Sequence, residues 1–182
     1  MSAASELRAG TRSEHDRVDA LFGRLDLSSA TDYGLFLRAM AAAYLPVEKA
    51  LEEASIGLLV RDWRVRKRGD LLGRDLAELG LTEIQLLAAP CFGDVPAILG
   101  GIYVLEGSRL GGAFLKRSLP VAAPARFLGA PAEPGSWKRL LETIDANLTE
   151  AGDILRACEA ARSVFRTFEI AGRRATGAPS LV

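Results

Sequence analysis

Apolar residues recur every three or four positions along most of the chain, which is typical of amphipathic α-helices. The first such stretch runs from about Ser5 to Arg24. Five of its residues are spaced by three or four positions, which predicts that they share one helix face: Leu7, Thr11, His15, Val18 and Phe22. Sustained alternation and hairpin dipeptides are nearly absent, so strands are not expected. The pattern predicts an all-α protein.

Capping residues and helix breakers predict the other boundaries. Helix starts are expected at Thr31 or Asp32, Asp70, Thr82, Asp94, Ser136 and Thr149. Pro46 should kink the second helix, and Gly80 should end the third. The segment 120–135 contains four prolines and should be a loop. We predict one domain, residues 1–182, with about seven helices, an ordered core at about 5–174 and a frayed tail at 175–182.

Charge and composition narrow the function. Lys and Arg number 23, as do Asp and Glu, so the net charge of zero gives no general electrostatic reason to bind nucleic acid. The most apolar region, 88–105, contains two prolines and Asp94, which argues against a membrane span. No secretory signal is visible, and two cysteines do not make a disulfide framework. We therefore expect a cytoplasmic protein.

His15 is the only histidine, which excludes metal sites that need two. A histidine on an apolar helix face is most often a partly buried core residue. The functional alternative is an axial iron ligand whose second nitrogen is held by a neighbour, and Glu14 and Asp19 are near in sequence.

A basic cluster lies between the second and third predicted helices, at Arg61, Arg64, Arg66, Lys67 and Arg68. Such clusters are usually solvated surface. The alternative is a docking site for an acidic redox partner.

Five glycines interrupt the helix predicted at 94–119: Gly100, Gly101, Gly107, Gly111 and Gly112. Each costs roughly 0.5–1 kcal/mol relative to alanine, so together they cost about 3–5 kcal/mol. A face without side chains allows something to lie directly on the backbone. Either another helix packs closely there, or a flat ligand does.

Two motifs, TRSEHDRVDALF and YVLEGSRLGGAF, occur in this order about ninety residues apart. Together they resemble the heme oxygenase family, and most closely its bacterial branch often associated with phytochromes. The resemblance extends over most of the chain, including RGDLLGRDLAELG and CEAARSVFRTFE. It implies an all-α fold with heme between a proximal N-terminal helix and a glycine-rich distal helix.

The resemblance also implies roles for individual residues. His15 matches the proximal iron ligand, and Phe165 matches an aromatic residue near the heme edge. The residues that match distal glycines are Gly107, Gly111 and Gly112, and those that match propionate contacts are Arg8, Tyr103 and, in a looser alignment, Lys138. Ser108 stands where mammalian-type members have an aspartate that orders water.

The implied reaction is oxidative cleavage of heme by O2 to biliverdin, CO and ferrous iron. Electrons must come from a ferredoxin, a flavoprotein reductase or a small reductant, because the chain has no flavin or nicotinamide fingerprint. A bacteriophytochrome that receives the biliverdin is implied by the resemblance alone.

Three other functions stay open at this stage. The same pocket would suit a heme carrier without catalysis. A thiamine-degrading enzyme of similar helical architecture would need a reactive cysteine, either Cys91 or Cys158. A helical interaction domain would need no cofactor.

Overall fold

Eight α-helices, and no β-strand, occur among residues 2–179, the part of the chain that this computed structural model describes. The helices are α1 (Ala3–Gly10), α2 (Arg12–Phe22), α3 (Ala30–Glu53), α4 (Trp63–Arg66), α5 (Gly69–Glu78), α6 (Val95–Leu115), α7 (Ser136–Asn147) and α8 (Ala151–Thr176). Two short 3₁₀ turns, Ile56–Leu58 and Lys116–Ser118, follow α3 and α6. The predicted all-α class is confirmed.

The N-terminal segment is two helices, so the prediction of one helix from Ser5 to Arg24 is wrong. Thr11 leaves the helical conformation at φ −118° and ψ 3°, and its side-chain hydroxyl donates to the carbonyl of Leu7 at 2.8 Å. Leu7 and Thr11 are buried. His15 lies beyond the break and is exposed.

Several other boundaries differ from the sequence prediction. Ser29, not Thr31 or Asp32, caps α3 by accepting a hydrogen bond from the backbone N–H of Asp32. The helix predicted at Thr82 is absent, because residues 81–93 have no regular secondary structure. Within this segment, the N–H of Leu87 donates to the carbonyl of Ala42 on α3.

The last two helices also begin differently. Ser136 is the first residue of α7, and Gly135 precedes it in the left-handed conformation at φ +73°. Glu150, not Thr149, precedes α8. Two predicted boundaries are confirmed, since Asp94 caps α6 through the N–H of Ala97, and Gly80 follows α5 at φ +67°.

Helix α6 packs closely on α8, and both share their core with α3. A Cβ built on Gly100 would overlap the backbone carbonyl of Ala157 on α8. A Cβ on Gly101 would lie 2.5 Å from the ring of Phe92. These two glycines therefore serve close packing. Buried apolar residues of α1, α3, α5, α6, α7 and α8 belong to one hydrophobic cluster. The single domain, residues 1–182, stays a prediction.

The helical core extends from Ala3 to Thr176, slightly beyond the predicted range of 5–174. Gly177 ends α8 in the left-handed conformation at φ +65°, and the carbonyl of Pro179 accepts a hydrogen bond from Arg173. The last three residues of the predicted tail, 180–182, lie outside the described residues. Between residues 2 and 179, no helix is both long and apolar enough to cross a membrane.

Candidate functional site

One face of α6 is covered along its first half and open along its second half. Residues spaced by three or four place Gly100, Tyr103, Gly107, Gly111 and Phe114 on this face. At Gly100 the face contacts α8 closely, whereas the side chain of Phe114 is 69% exposed. The neighbouring Leu110 is 55% exposed. The second half of α6 therefore presents an apolar surface that the described residues leave uncovered.

Two glycines of this open half, Gly107 and Gly111, have no close packing neighbour that would explain them. A Cβ built on Gly107 would find Trp137 Cη2 as its nearest neighbour, at 4.0 Å, and a Cβ on Gly111 would meet nothing within 4 Å. Gly112 differs, because its Cβ would lie 3.4 Å from a side-chain carbon of Leu128. Close helix packing thus explains Gly100 but not Gly107 or Gly111. A distal role for Gly112 stays a prediction.

His15 lies on α2 with 57% of its side chain exposed. Its Nδ1 is 3.3 Å from Oδ2 of Asp19, one helical turn later. Its ring meets the ring of Phe165 on α8 edge-on, with centroids 5.9 Å apart. Glu14, the other neighbour considered, instead accepts a hydrogen bond from Arg17 at 3.2 Å. Asp19 is thus the carboxylate nearest to Nδ1, and if it holds that nitrogen, Nε2 is the atom left to bind a metal.

Two of the predicted propionate contacts lie near each other. Tyr103 is half-buried, and its ring centroid is 5.6 Å from that of Trp137. Burial raises the pKa of the Tyr103 hydroxyl, and the positive charge of nearby Arg8 opposes that effect. Arg8 itself is exposed near the end of α1. A phenol and a guanidinium are thus available together for a carboxylate.

Lys138, the third predicted contact, is exposed on α7. Its Nζ lies 3.6 Å from the carboxylate of Glu142. It directly follows Trp137, which contacts Tyr103, but no contact with Arg8 or Tyr103 places it in the same group. Its assignment stays a prediction.

The main feature missed by the sequence analysis is a buried polar cluster beneath α6. Arg66 is 3% exposed and Arg68 is 1% exposed, so the prediction of a solvated basic surface is wrong for both. Arg66 donates to Glu106 at 2.8 Å and, through two nitrogens, to both carboxylate oxygens of Asp62. Glu106 also pairs with Arg109 at 3.2 Å. Glu106 and Arg109 in an apolar helix were the available signal, because buried charges need partners.

Arg68 connects this buried cluster to Ser108. Its Nη2 donates to the Leu105 carbonyl at 2.8 Å and to the Ser108 hydroxyl at 2.9 Å. Its guanidinium lies over the rings of Tyr44 and Phe127, at 5.2 Å and 4.7 Å. Its Nε has no partner among the described residues. Ser108, which the resemblance to heme oxygenases matches to an aspartate of mammalian-type members, is therefore held against a buried cation.

Ser108→Ala is expected to lower the free energy of unfolding by about 1–3 kcal/mol, because it removes one of the two acceptors of the buried Arg68 guanidinium. Urea unfolding of the apo-protein measures this. Ser118→Ala, at an exposed serine, is the matched control and should change stability by no more than about 0.5 kcal/mol. Equal effects of the two substitutions would show that the Arg68 contact does not contribute to stability.

Burial makes Cys158 a poor candidate for a reactive thiol. Cys158 is buried on α8, and this burial raises the pKa of its thiol. A higher pKa leaves less of the reactive thiolate at neutral pH. Cys91 is exposed in the irregular segment before α6. Within residues 2–179, no three His, Cys, Asp or Glu side chains are grouped as ligands of a bare metal ion.

Comparison with known proteins is consistent with this geometry. No protein-family model matches the chain. A heme oxygenase from Xanthomonas campestris pv. campestris (strain 8004) is 28% identical over 145 residues, which cover 76% of this chain and 87% of that protein.

Two solved structures have the same helical arrangement. One is the NO- and CO-bound heme oxygenase of Neisseria meningitidis, with a TM-score of 0.83 and 26% identity, covering 99% of this chain and 94% of that one. The other is the heme oxygenase of Leptospira interrogans, with a TM-score of 0.74 and 19% identity, covering 96% of this chain and 100% of that one. At this low identity, the second structure supports the fold alone. In sequence and in fold, this chain is therefore similar to bacterial heme oxygenases, which confirms the predicted resemblance.

Proposed function

We propose that this chain is a heme oxygenase, which cleaves heme to biliverdin, CO and ferrous iron with O2 and externally supplied electrons. The observation that carries the proposal is the open apolar face of α6 at Gly107 and Gly111. Two other glycines of the same helix, Gly100 and Gly101, are closely packed. The family relationship supports the same activity.

The residues present suit a flat, largely apolar ring with a central iron and two carboxylates. His15 would bind the iron through Nε2, with Asp19 holding Nδ1. The backbone at Gly107 and Gly111 would lie against the opposite face of the ring. Phe165 packs edge-on against His15 and so fixes the imidazole from the α8 side. Arg8 and Tyr103 would hold a propionate, and Lys138 would hold the other.

Bound heme supplies the reactivity toward O2, and the protein supplies orientation and a suitable environment. Along the open half of α6, Gly107, Leu110 and Gly111 offer no titratable group. The Ser108 hydroxyl is already committed, since it donates to the Leu105 carbonyl at 2.6 Å. Protons at this face would therefore come through ordered water, which is a weaker acid than a histidine or a carboxylic acid. The bare backbone at Gly107 and Gly111 also leaves space over this face that a side chain would fill.

The deciding experiment is aerobic turnover of the heme-loaded protein with ascorbate as reductant. We expect the heme absorption to decay and biliverdin and CO to form in equal amounts. A stable heme complex without biliverdin would instead identify a carrier. Failure to bind heme at all would favour an interaction domain.

The electrons and the product define the proposed partners. A ferredoxin, a flavoprotein reductase or a small reductant would supply electrons, because the sequence has no flavin or nicotinamide fingerprint. A bacteriophytochrome is the proposed acceptor of biliverdin, on the strength of the resemblance alone.

Arg8→Ala and Tyr103→Phe are expected to weaken heme binding. A well-formed charge-assisted contact contributes about 1.5–3 kcal/mol, which corresponds to roughly a 10- to 100-fold rise in Kd. Heme titration gives the Kd, and chromatography of the biliverdin isomers reports rotation of the ring in its plane. Arg174→Ala, at an exposed arginine near the end of α8, is the control. If both variants match the control in affinity and isomer ratio, Arg8 and Tyr103 do not contact the propionates.

A further inference from the structure

Helix α2, which carries His15, buries few of its own side chains. Along its described length, Leu21 is the one buried residue. The break at Thr11 separates α2 from α1, so α1 does not hold it as one continuous helix would. Asp16 and Asp19, the polar neighbours of His15, are exposed. Helix α8 makes the most extensive contact with α2. The position of His15 in the fold therefore depends mainly on how α2 sits on α8.

Two successive side chains on one face of α8 contact α2 close to His15. Phe165 meets the His15 ring edge-on, with ring centroids 5.9 Å apart. Glu169 lies one helical turn further along the same face of α8. Its carboxylate pairs with Arg17, two residues after His15, at 3.4 Å. An aromatic contact and an ion pair thus lie side by side at this part of the interface.

The ion pair adds a directional contact to an interface that is otherwise apolar further along. At Gly172 the absence of a side chain lets Leu21 approach, since a Cβ built there would lie 3.4 Å from the Cβ of Leu21. Apolar contacts of this kind set the separation of two helices but are not directional. A charge-assisted hydrogen bond has a preferred geometry. The pair of Arg17 and Glu169 therefore restricts how α2 can rotate and slide on α8.

Glu169 is a well-anchored partner, because only 4% of its side chain is exposed and a buried carboxylate needs partners. Arg173 donates to its Oε1 from Nε at 3.2 Å and from Nη2 at 2.8 Å. Its Oε2 accepts from Nε of Arg17 at 3.4 Å. The Nη2 of Arg17 donates to Glu14, the residue directly before His15, at 3.2 Å. One guanidinium thus joins the buried carboxylate of α8 to the first turn of α2.

We propose that Arg17 and Glu169 are positioning residues for His15 as the iron ligand. This inference rests on the proposed function, because it requires heme bound through Nε2 of His15. With the ion pair and the Phe165 contact both in place, α2 cannot turn or slide on α8 without breaking one of them. Nε2 then keeps one position relative to the distal helix. Neither Arg17 nor Glu169 touches the iron, so both act only through His15.

The test compares Arg17→Met with Arg156→Met on the heme-loaded full chain. The two arginines are matched, because their side chains are 50% and 52% exposed and each pairs with two carboxylates. Arg156 pairs with Asp153 and with Asp94, and so joins α8 to the start of α6 instead of to α2. Both substitutions remove one positive charge. Arg173 still pairs with Glu169 in Arg17→Met, so this variant should fold.

Resonance Raman spectroscopy of the ferrous complex measures the iron–histidine stretching band. The band should broaden and shift in Arg17→Met, because His15 takes up several positions, and it should match the wild type in Arg156→Met. Ascorbate-driven biliverdin formation should fall by about 3- to 10-fold in Arg17→Met, less than the roughly 10- to 100-fold typical of losing a direct partner of a metal ligand. It should stay at the wild-type rate in Arg156→Met.

Glu169→Gln separates position from charge. It changes the net charge in the direction opposite to Arg17→Met, so an electrostatic effect on the iron would shift the band in opposite directions in the two variants. Loss of positioning should instead broaden the band in both. The double variant should resemble the more affected single variant, since both substitutions remove the same contact.

The inference is overturned if Arg17→Met and Arg156→Met give the same band, or if Arg17→Met and Glu169→Gln only shift it in opposite directions without broadening. A wild-type complex without an iron–histidine band would overturn it together with the assignment of His15 as the ligand. Failure of the proposed function would look different, because the wild-type band would be present while no biliverdin forms.

Discussion

His15→Ala is expected to lower biliverdin formation by at least about 100-fold while leaving the protein folded. Loss of the ligand itself should cost more than loss of an outer-shell partner, which typically costs about 10- to 100-fold. The fold should survive because more than half of the side chain is exposed and its polar neighbours, Asp16 and Asp19, are exposed as well. Absorption and electron paramagnetic resonance spectra of the ferric complex measure the change in ligation, and single-turnover assays measure product.

Two comparisons make this result specific to the iron ligand. Added imidazole should restore part of the six-coordinate spectrum to His15→Ala, because a free ligand can occupy the space that the side chain leaves. Asp19→Asn should keep the histidine ligand but alter its basicity, since Nδ1 loses a carboxylate partner at 3.3 Å. An unchanged ferric spectrum together with unchanged turnover in His15→Ala would show that the iron is bound elsewhere.

Local signals in the sequence predicted the long helices well. Asp94 begins α6 through a side-chain cap, and Gly80 follows α5 with positive φ, because both effects depend on neighbouring residues alone. The break at Thr11 was missed because the prediction followed only the local spacing of apolar residues. The apolar spacing continues through it, whereas the backbone of Thr11 leaves the helical conformation at φ −118° and ψ 3°.

The buried cations show a second limit of local reasoning. The sequence places Arg66 and Arg68 in a predicted surface cluster, since five cationic residues occur within positions 61–68. Their partners, Glu106 and Ser108, lie 40 residues further along. A charge can be buried only where such partners meet it, and their meeting depends on how α4 and α6 pack. The exposed members, Arg61 and Arg64, fit the surface prediction.

The sequence alone could not show which glycines of α6 serve close helix packing and which leave space for a flat ligand. Their spacing places several of them on one face, which suits both a close helix and a flat ligand. Close packing against α8 explains Gly100, whereas Gly107 faces open space. The two positions lie two helical turns apart in one helix, so alanine substitutions at them form an internally controlled pair.

Gly100→Ala is expected to destabilise the apo-protein by about 1–3 kcal/mol or more, because the new methyl group would overlap the backbone carbonyl of Ala157, which cannot move without shifting α8. Gly107→Ala should instead leave apo stability equal or up to about 1 kcal/mol higher, because alanine favours helix and finds its nearest neighbour at 4.0 Å. Thermal unfolding of the two apo-proteins measures this contrast.

Biliverdin formation should show the opposite contrast, with the larger loss in Gly107→Ala and the smaller loss in Gly100→Ala. In Gly107→Ala the methyl group would occupy space against the distal heme face, so biliverdin yield should fall several-fold although His15 still holds the heme. In Gly100→Ala the surviving folded protein should turn over at close to the wild-type rate below its melting temperature. Heme affinity, apo melting temperature and biliverdin yield, measured on both variants, separate the two roles. A Gly107→Ala protein that is destabilised yet makes biliverdin normally would show that this glycine serves packing, and the open face of α6 would then no longer support a heme site.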